Sequence, residues 1–128
     1  MVSTICAFTP NRQEIYRYDG SPGAWSRIKQ AGGVGELYGG GFGLFATMYN
    51  IPDYQPGHLF WWRRRMYNYV FNSWHPIGLP GAMFAVTSES VYGLTPNRGA
   101  VFRYNGSGTS WTMVGGAADA IYAFEEQD

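Results

Sequence analysis

The sequence predicts an all-β protein: a β-propeller with three four-stranded blades per chain, forming a six-bladed ring as a homodimer. Three observations carry this. The run Thr9-Pro10-Asn11-Arg12, Ile15-Tyr16-Arg17-Tyr18-Asp19-Gly20-Ser21 and Trp25 returns as Thr95-Pro96-Asn97-Arg98, Val101-Phe102-Arg103-Tyr104-Asn105-Gly106-Ser107 and Trp111, each pair 86 residues apart. A degenerate copy stands between them, with Phe45-Ala46-Thr47, then Leu59-Phe60-Trp61-Trp62, then Trp74 and Ile77, so the unit is 43 residues, a length typical of propeller blades. No stretch sustains a 3.6-residue apolar period with caps, so essentially no helix is expected.

The elements follow from short aromatic and β-branched runs bounded by Gly, Asn, Asp and Pro. In the first repeat, strands are expected over residues 3–8, 14–18 and 24–28, with residues 19–23 turning the last hairpin. Next come 36–39, 43–48, 58–63 and 73–77, then 83–87, 91–95, 100–104 and 110–114, and a last strand over 120–124. The strands holding Tyr38, Phe84 and Tyr122 are flanked by Gly and Ala, as suits the crowded innermost strand beside a propeller axis. The chain therefore opens on strands two to four of a blade and ends on a lone first strand. This divides it into a split blade of residues 1–35 with 117–128, a blade of 36–81 carrying loop insertions, and a blade of 82–116.

Three blades do not close a ring, since propellers take about four to eight. The economical completion is a two-fold dimer in which the C-terminal strand of each subunit pairs with the N-terminal strands of the other, leaving no open seam.

Composition agrees. Aromatic residues make up 18% and charged residues 14%, which suits a packed β core and excludes disorder. Nine Lys and Arg balance nine Asp and Glu, so no net field draws the protein to nucleic acid or acidic membranes. The single cysteine, Cys6, excludes an internal disulfide framework and is read as a small buried strand residue. No segment is apolar enough to span a bilayer, and no signal peptide is visible, so the expectation is a soluble protein made without a classical leader.

The repeated constellation has a chemistry of its own. Strand alternation puts Ile15, Arg17 and Asp19 on one side and Tyr16 and Tyr18 on the other, and repeats this as Val101, Arg103 and Asn105 against Phe102 and Tyr104. A pyranose offers an apolar C–H face and a ring of hydroxyls. It is matched by an aromatic platform such as Trp25 or Trp111 beside planar polar groups such as Arg17 with Asp19, or Arg103 with Asn105. In the middle repeat Trp61 replaces the arginine of Arg17 and Arg103, with Trp62 following it where Tyr18 and Tyr104 stand. The competing reading is structural: repeated Trp and Tyr pack blades together, and Asp19 and Asn105, each preceding Gly, serve turns by taking positive φ.

The pattern Tyr-Arg-Tyr-Asp/Asn-Gly, four residues, Trp, then Ile or Val and a Gly-rich turn into Leu-Tyr-Gly-Gly or Ala-Met-Phe-Ala-Val, resembles the repeats of tectonin- and tachylectin-like β-propeller lectins. The resemblance covers nearly the whole chain. It implies sugar sites repeated around the ring, in clefts between blades.

The middle repeat departs from the pattern through two loop insertions, one over 49–56 and one over 63–71, rich in aromatic, basic and amide groups. Long loops on a rigid scaffold often carry function. They support an alternative reading, a protein-interaction scaffold in which the repeated Arg and Trp only pack. Other motifs are weak. Residues 39–43 form a Gly-rich connection without the helix and Lys-Ser/Thr of a phosphate loop. His58 and His75 are too few for a zinc site and are read as strand-surface residues. Arg63-Arg64-Arg65 beside Trp61-Trp62 is too short a basic run for nucleic-acid binding. No catalytic motif is present. The expectation is a multivalent, non-enzymatic lectin that binds glycans and needs no cofactor.

Overall fold

A computed structural model describes residues 4–11, 13–28, 34–48, 65–70, 73–78 and 80–126. Among them the protein is all-β, with eleven strands and no helix. The strands are β1 (Cys6–Phe8), β2 (Ile15–Tyr18), β3 (Trp25–Ile28), β4 (Val34–Gly40), β5 (Gly43–Met48), β6 (Arg65–Val70), β7 (Ser73–Gly78), β8 (Met83–Val86), β9 (Val91–Leu94), β10 (Val101–Tyr104) and β11 (Trp111–Gly115). They form three antiparallel meanders, β1-β2-β3, β4-β5-β6-β7 and β8-β9-β10-β11, with one sheet per repeat.

Two repeated turns explain much of the sequence identity between the outer sheets. In Thr95-Pro96-Asn97-Arg98 the Thr95 hydroxyl donates to Asn97 Oδ1 (2.8 Å), while the same hydroxyl oxygen accepts from the amides of Gly99 (3.0 Å) and Ala100 (3.1 Å). Thr9 and Asn11 repeat this, with Thr9 Oγ1 donating to Asn11 Oδ1 at 2.6 Å and accepting from the Glu14 amide at 3.2 Å. These side chains satisfy backbone donors that the tight connection leaves without ladder partners. In the second turn the Asp19 amide donates to Ala24 O and the Asn105 amide to Ser110 O, both at 2.9 Å. The positive φ falls on the following glycines, Gly20 (100°) and Gly106 (93°), not on Asp19 or Asn105 as the sequence suggested. The turn needs the left-handed conformation one residue later, where only glycine adopts it without cost.

The middle sheet corrects the sequence reading. The strand expected over 58–63 lies outside the described residues. Residues 65–70, expected as part of a loop insertion over 63–71, form β6, which pairs with β5 on one side and β7 on the other. Alternation gives the reason. Met66 and Asn68 share one face and Tyr67 and Tyr69 the other, matching Ile15 and Arg17 against Tyr16 and Tyr18. Tyr69 stands opposite Trp74 just as Tyr18 stands opposite Trp25 and Tyr104 opposite Trp111. The pairing between β5 and β7 is made by the strand that holds Met66-Tyr67-Asn68-Tyr69.

The second and third sheets pack face to face. Phe45, Met66 and Ile77 meet Phe84, Val86, Val91 and Tyr104 in one buried cluster, flanked by Tyr38, Phe42 and Trp111. Burying a side chain of this size stabilises by about 1.5–3 kcal/mol. The opposite face of the second sheet carries its own cluster, Ala46, Met48 and Tyr67 with Leu37 and Trp74. Where the sheets touch, a Cβ on Gly78 would lie 2.7 Å from Trp111 Nε1, so the indole seats against bare backbone. The Gly-rich connection over 39–43 turns β4 into β5, and the Phe42 amide donates to Thr87 O (2.8 Å) across the same boundary.

The last expected strand does not form within the chain. Residues 120–124 join no ladder, and Tyr122 and Phe124 are 82% and 75% exposed. A strand is stable only with a partner, and none of the described strands pairs with this segment. The segment is nonetheless held at both ends. The Ala118 amide donates to Arg98 O (3.1 Å), Arg98 Nη1 donates to Asp119 O, and Glu125 accepts from the Ser88 amide (2.9 Å) and hydroxyl (3.3 Å).

Candidate functional site

The candidate residues occupy matched positions on β2–β3 and β10–β11, because each pair of strands has the same register. Arg17 stands opposite Ser26 and Arg103 opposite Thr112; Tyr18 stands opposite Trp25 and Tyr104 opposite Trp111. Directly opposed residues share a face and neighbours along a strand do not. Each arginine and each tryptophan therefore lie on opposite faces of their own sheet. This corrects the expected pairing of Trp25 with Arg17, or of Trp111 with Arg103, in one pocket: the platform for either arginine has to come from another sheet.

The polar faces are built alike. Arg17 Nη1 lies 3.7 Å from Asp19 Oδ1, and Ser26 Oγ donates to Asp19 Oδ2 at 2.5 Å. In the third sheet Thr112 Oγ1 donates to Asn105 Oδ1 (2.8 Å) and Asn105 Nδ2 donates to Ser110 Oγ (2.8 Å). Asp19 and Asn105 thus brace the hairpin through their side chains and leave the guanidinium as the outward group. Both arginines are exposed, and an exposed ion pair of this kind adds about 1 kcal/mol or less to stability. The middle sheet presents Asn68 opposite His75 in these positions. Sequence reading missed both as counterparts of the arginine row; the echo of Ile-Tyr-Arg-Tyr in Met-Tyr-Asn-Tyr was the signal for them.

The aromatic faces also repeat. Ring centroids are 5.1 Å apart in Tyr18–Trp25, 4.9 Å in Tyr69–Trp74 and 5.1 Å in Tyr104–Trp111, with interplanar angles of 52°, 49° and 50°. Trp111 is turned towards the second sheet and donates its indole N–H to Ile77 O at 2.7 Å. Tyr104 is buried, its hydroxyl donates to Gly108 O (3.0 Å), and burial pushes its pKa upward. Trp111 and Tyr104 therefore pack sheets together. Trp25 is 39% exposed. Trp61 and Trp62 lie outside the described residues. Cys6 lies on β1, half-buried, and burial raises its pKa, so the thiol stays protonated. His75 is an exposed strand residue on β7, and among the described residues no helix is long and apolar enough to cross a membrane.

Compared with known proteins, the chain matches no family model and no curated sequence.

Proposed function

We propose that the protein is a multivalent, non-enzymatic carbohydrate-binding lectin, a half-propeller whose three blades close into a six-bladed ring with a second copy. The observation that carries this reading is the exposed arginine recurring in one register, Arg17 beside Ser26 and Asp19, and Arg103 beside Thr112 and Asn105. Each row faces away from the tryptophan of its own blade. In a ring, the row of one blade therefore meets the Tyr–Trp pair of the next. Such a cleft opposes fixed hydrogen-bond donors to an aromatic face, which is what the two surfaces of a pyranose require. The resemblance of the repeats to tectonin- and tachylectin-like lectins points the same way.

In this arrangement Arg17 faces Tyr69 and Trp74 of its own chain, and Arg103 faces Tyr18 and Trp25 of the second copy. The cleft between the second and third sheets has Asn68 and His75 in place of an arginine row. Two arginine clefts per chain give four per ring, and linked weak sites gain about 10²–10⁴ in avidity on a multivalent surface. The test is a glycan array probed with soluble protein, followed by competition with free monosaccharide. Retention on a defined glycan class, released by the matching sugar, is expected. No retention on any glycan surface would refute the reading.

A further inference from the structure

We infer that a second copy of this chain closes the ring by strand addition in one register. Residues 120–124 of each copy lie antiparallel along the outer edge of β1 in the other, with Ala123 opposite Cys6 and Tyr122 opposite Ala7. The indole of the second copy's Trp25 donates to the carbonyl of Val114. The inference rests on the two-copy ring proposed above and adds its register and contacts.

The template is the chain's own interface between its second and third sheets. Residues 120–124, Ala-Ile-Tyr-Ala-Phe, repeat residues 82–86, Ala-Met-Phe-Ala-Val, which supply β8. There Ala85 pairs with Tyr92 and Phe84 with Gly93. The counterparts of Tyr92 and Gly93 on the first sheet are Cys6 and Ala7, because Cys6 pairs with Arg17 and Ala7 with Tyr16 as Tyr92 pairs with Arg103 and Gly93 with Phe102. Phe84 lies over Gly93, where a Cβ would come within 2.8 Å of its ring. Tyr122 falls in the same way over the small side chain of Ala7. Among the described strands β1 stands at the end of the first sheet, while the segment that repeats β8 is tethered at Ala118 and Glu125 and residues 120–124 join no ladder.

Exposed apolar groups other than Met113 sort to the same seam. Trp25 is the counterpart of Trp111 and is exposed. Val114 is the counterpart of Ile77, the residue whose carbonyl receives Trp111; Ile77 is 4% exposed and Val114 51%. Gly115 repeats Gly78, both standing at the same register after the bulge in their strands, opposite Val101 and Met66. At Gly78 an added Cβ would strike the indole, whereas at Gly115 it meets only its own Val101 at 3.7 Å, so the seat is open. In the proposed register Ile5, Trp25, Tyr122 and Phe124, all exposed in the single chain, share one face directed at the third sheet. A shift of one residue would turn Tyr122 and Phe124 to the other face.

The test introduces Ala123→Cys into the intact chain and oxidises it with copper phenanthroline. Opposed residues on antiparallel strands have Cα atoms roughly 4.5–5.5 Å apart, within disulfide reach. A covalent species of twice 14.3 kDa, with both thiols consumed, is expected on a non-reducing gel. Tyr122→Cys, on the opposite face, should link to Cys6 at least ~10-fold more slowly. Faster linkage through Tyr122→Cys, an intrachain disulfide, bands larger than the dimer, or thiols that stay free would each overturn the inference. Light scattering of the unmodified protein separates the two levels. A particle of twice the chain mass without the disulfide defeats the register and leaves the two-copy ring standing; a particle of single-chain mass defeats both.

Discussion

Replacing Trp111 with Phe removes a bond between sheets while keeping an aromatic ring on β11. The indole N–H donates to Ile77 O at 2.7 Å, and Ile77 is buried, so the carbonyl loses its partner in a place water does not reach. Loss of the bond and desolvation of the acceptor cost about 1–2 kcal/mol. The missing ring leaves a void against Phe84 and Tyr104, whose centroids lie 6.4 and 5.1 Å away, and adds about 1 kcal/mol for a half-buried side chain. The sum, about 2–3 kcal/mol, lowers the melting temperature by roughly 6–12 °C for a domain of this length. The assay is thermal unfolding followed by near-ultraviolet circular dichroism at one fixed protein concentration, since assembly makes the midpoint concentration-dependent. Trp25→Phe is the internal comparison. On an isolated chain, where Trp25 is half exposed, it costs under about 1 kcal/mol; in the closed ring it costs as much as the change at Trp111. A drop at Trp111 of under about 2 °C would refute the packing role given to the repeated tryptophan.

Gly78→Ala drives a methyl to within 2.7 Å of Trp111 Nε1 and is expected to cost about 1–3 kcal/mol, read as a lower urea midpoint with an unchanged slope. Asn97→Ala breaks the turn in which Oδ1 accepts from Thr95 Oγ1 and the Gly99 amide (2.9 Å), and should lower stability by about 1–2 kcal/mol in the same measurement. Burial raises the pKa of Tyr104 above its ordinary value of 10, so the folded state holds that proton more tightly than the unfolded chain. Its contribution is then complete below pH 10 and is lost as pH rises through the folded pKa. Tyr104→Phe should accordingly lose stability at neutral pH and show a shallower alkaline decline than the wild type, and parallel declines would remove Tyr104 as their source.

Repeat spacing, strand type and the absence of helix were legible because they rest on local signals: side-chain alternation, Gly and Asn at turns, and identity between two distant segments. The outer sheets also formed where expected, since their turns repeat residue by residue down to Thr95 with Asn97 and Thr9 with Asn11. In the middle repeat the strand expected over 58–63 lies outside the described residues, and the strand between β5 and β7 is built on Met66-Tyr67-Asn68-Tyr69, which places an apolar residue and a polar one on one face and sets a tyrosine opposite Trp74. The last strand was legible as a motif but not as an element, because a strand is defined by its partner and residues 120–124 find none among the described strands. The relation of Arg17 to Trp25 was hidden for a related reason. Which face a tryptophan shares depends on the register across the hairpin, and Asp19 with its four following residues leaves that register open until the pairing of Tyr18 with Trp25 is seen.

Recognition and packing part company at the two arginines. Arg17 is 48% exposed along its side chain and Arg103 is exposed on its strand, so truncating either costs within about 0.5 kcal/mol of stability. The decisive measurement is glycan-surface binding by Arg17→Ala with Arg103→Ala, compared with wild type at equal mass and melting temperature. The lectin account predicts that binding is abolished while the assembly and its thermal midpoint stay nearly unchanged. Undiminished binding, or loss of the assembly together with binding, would contradict it.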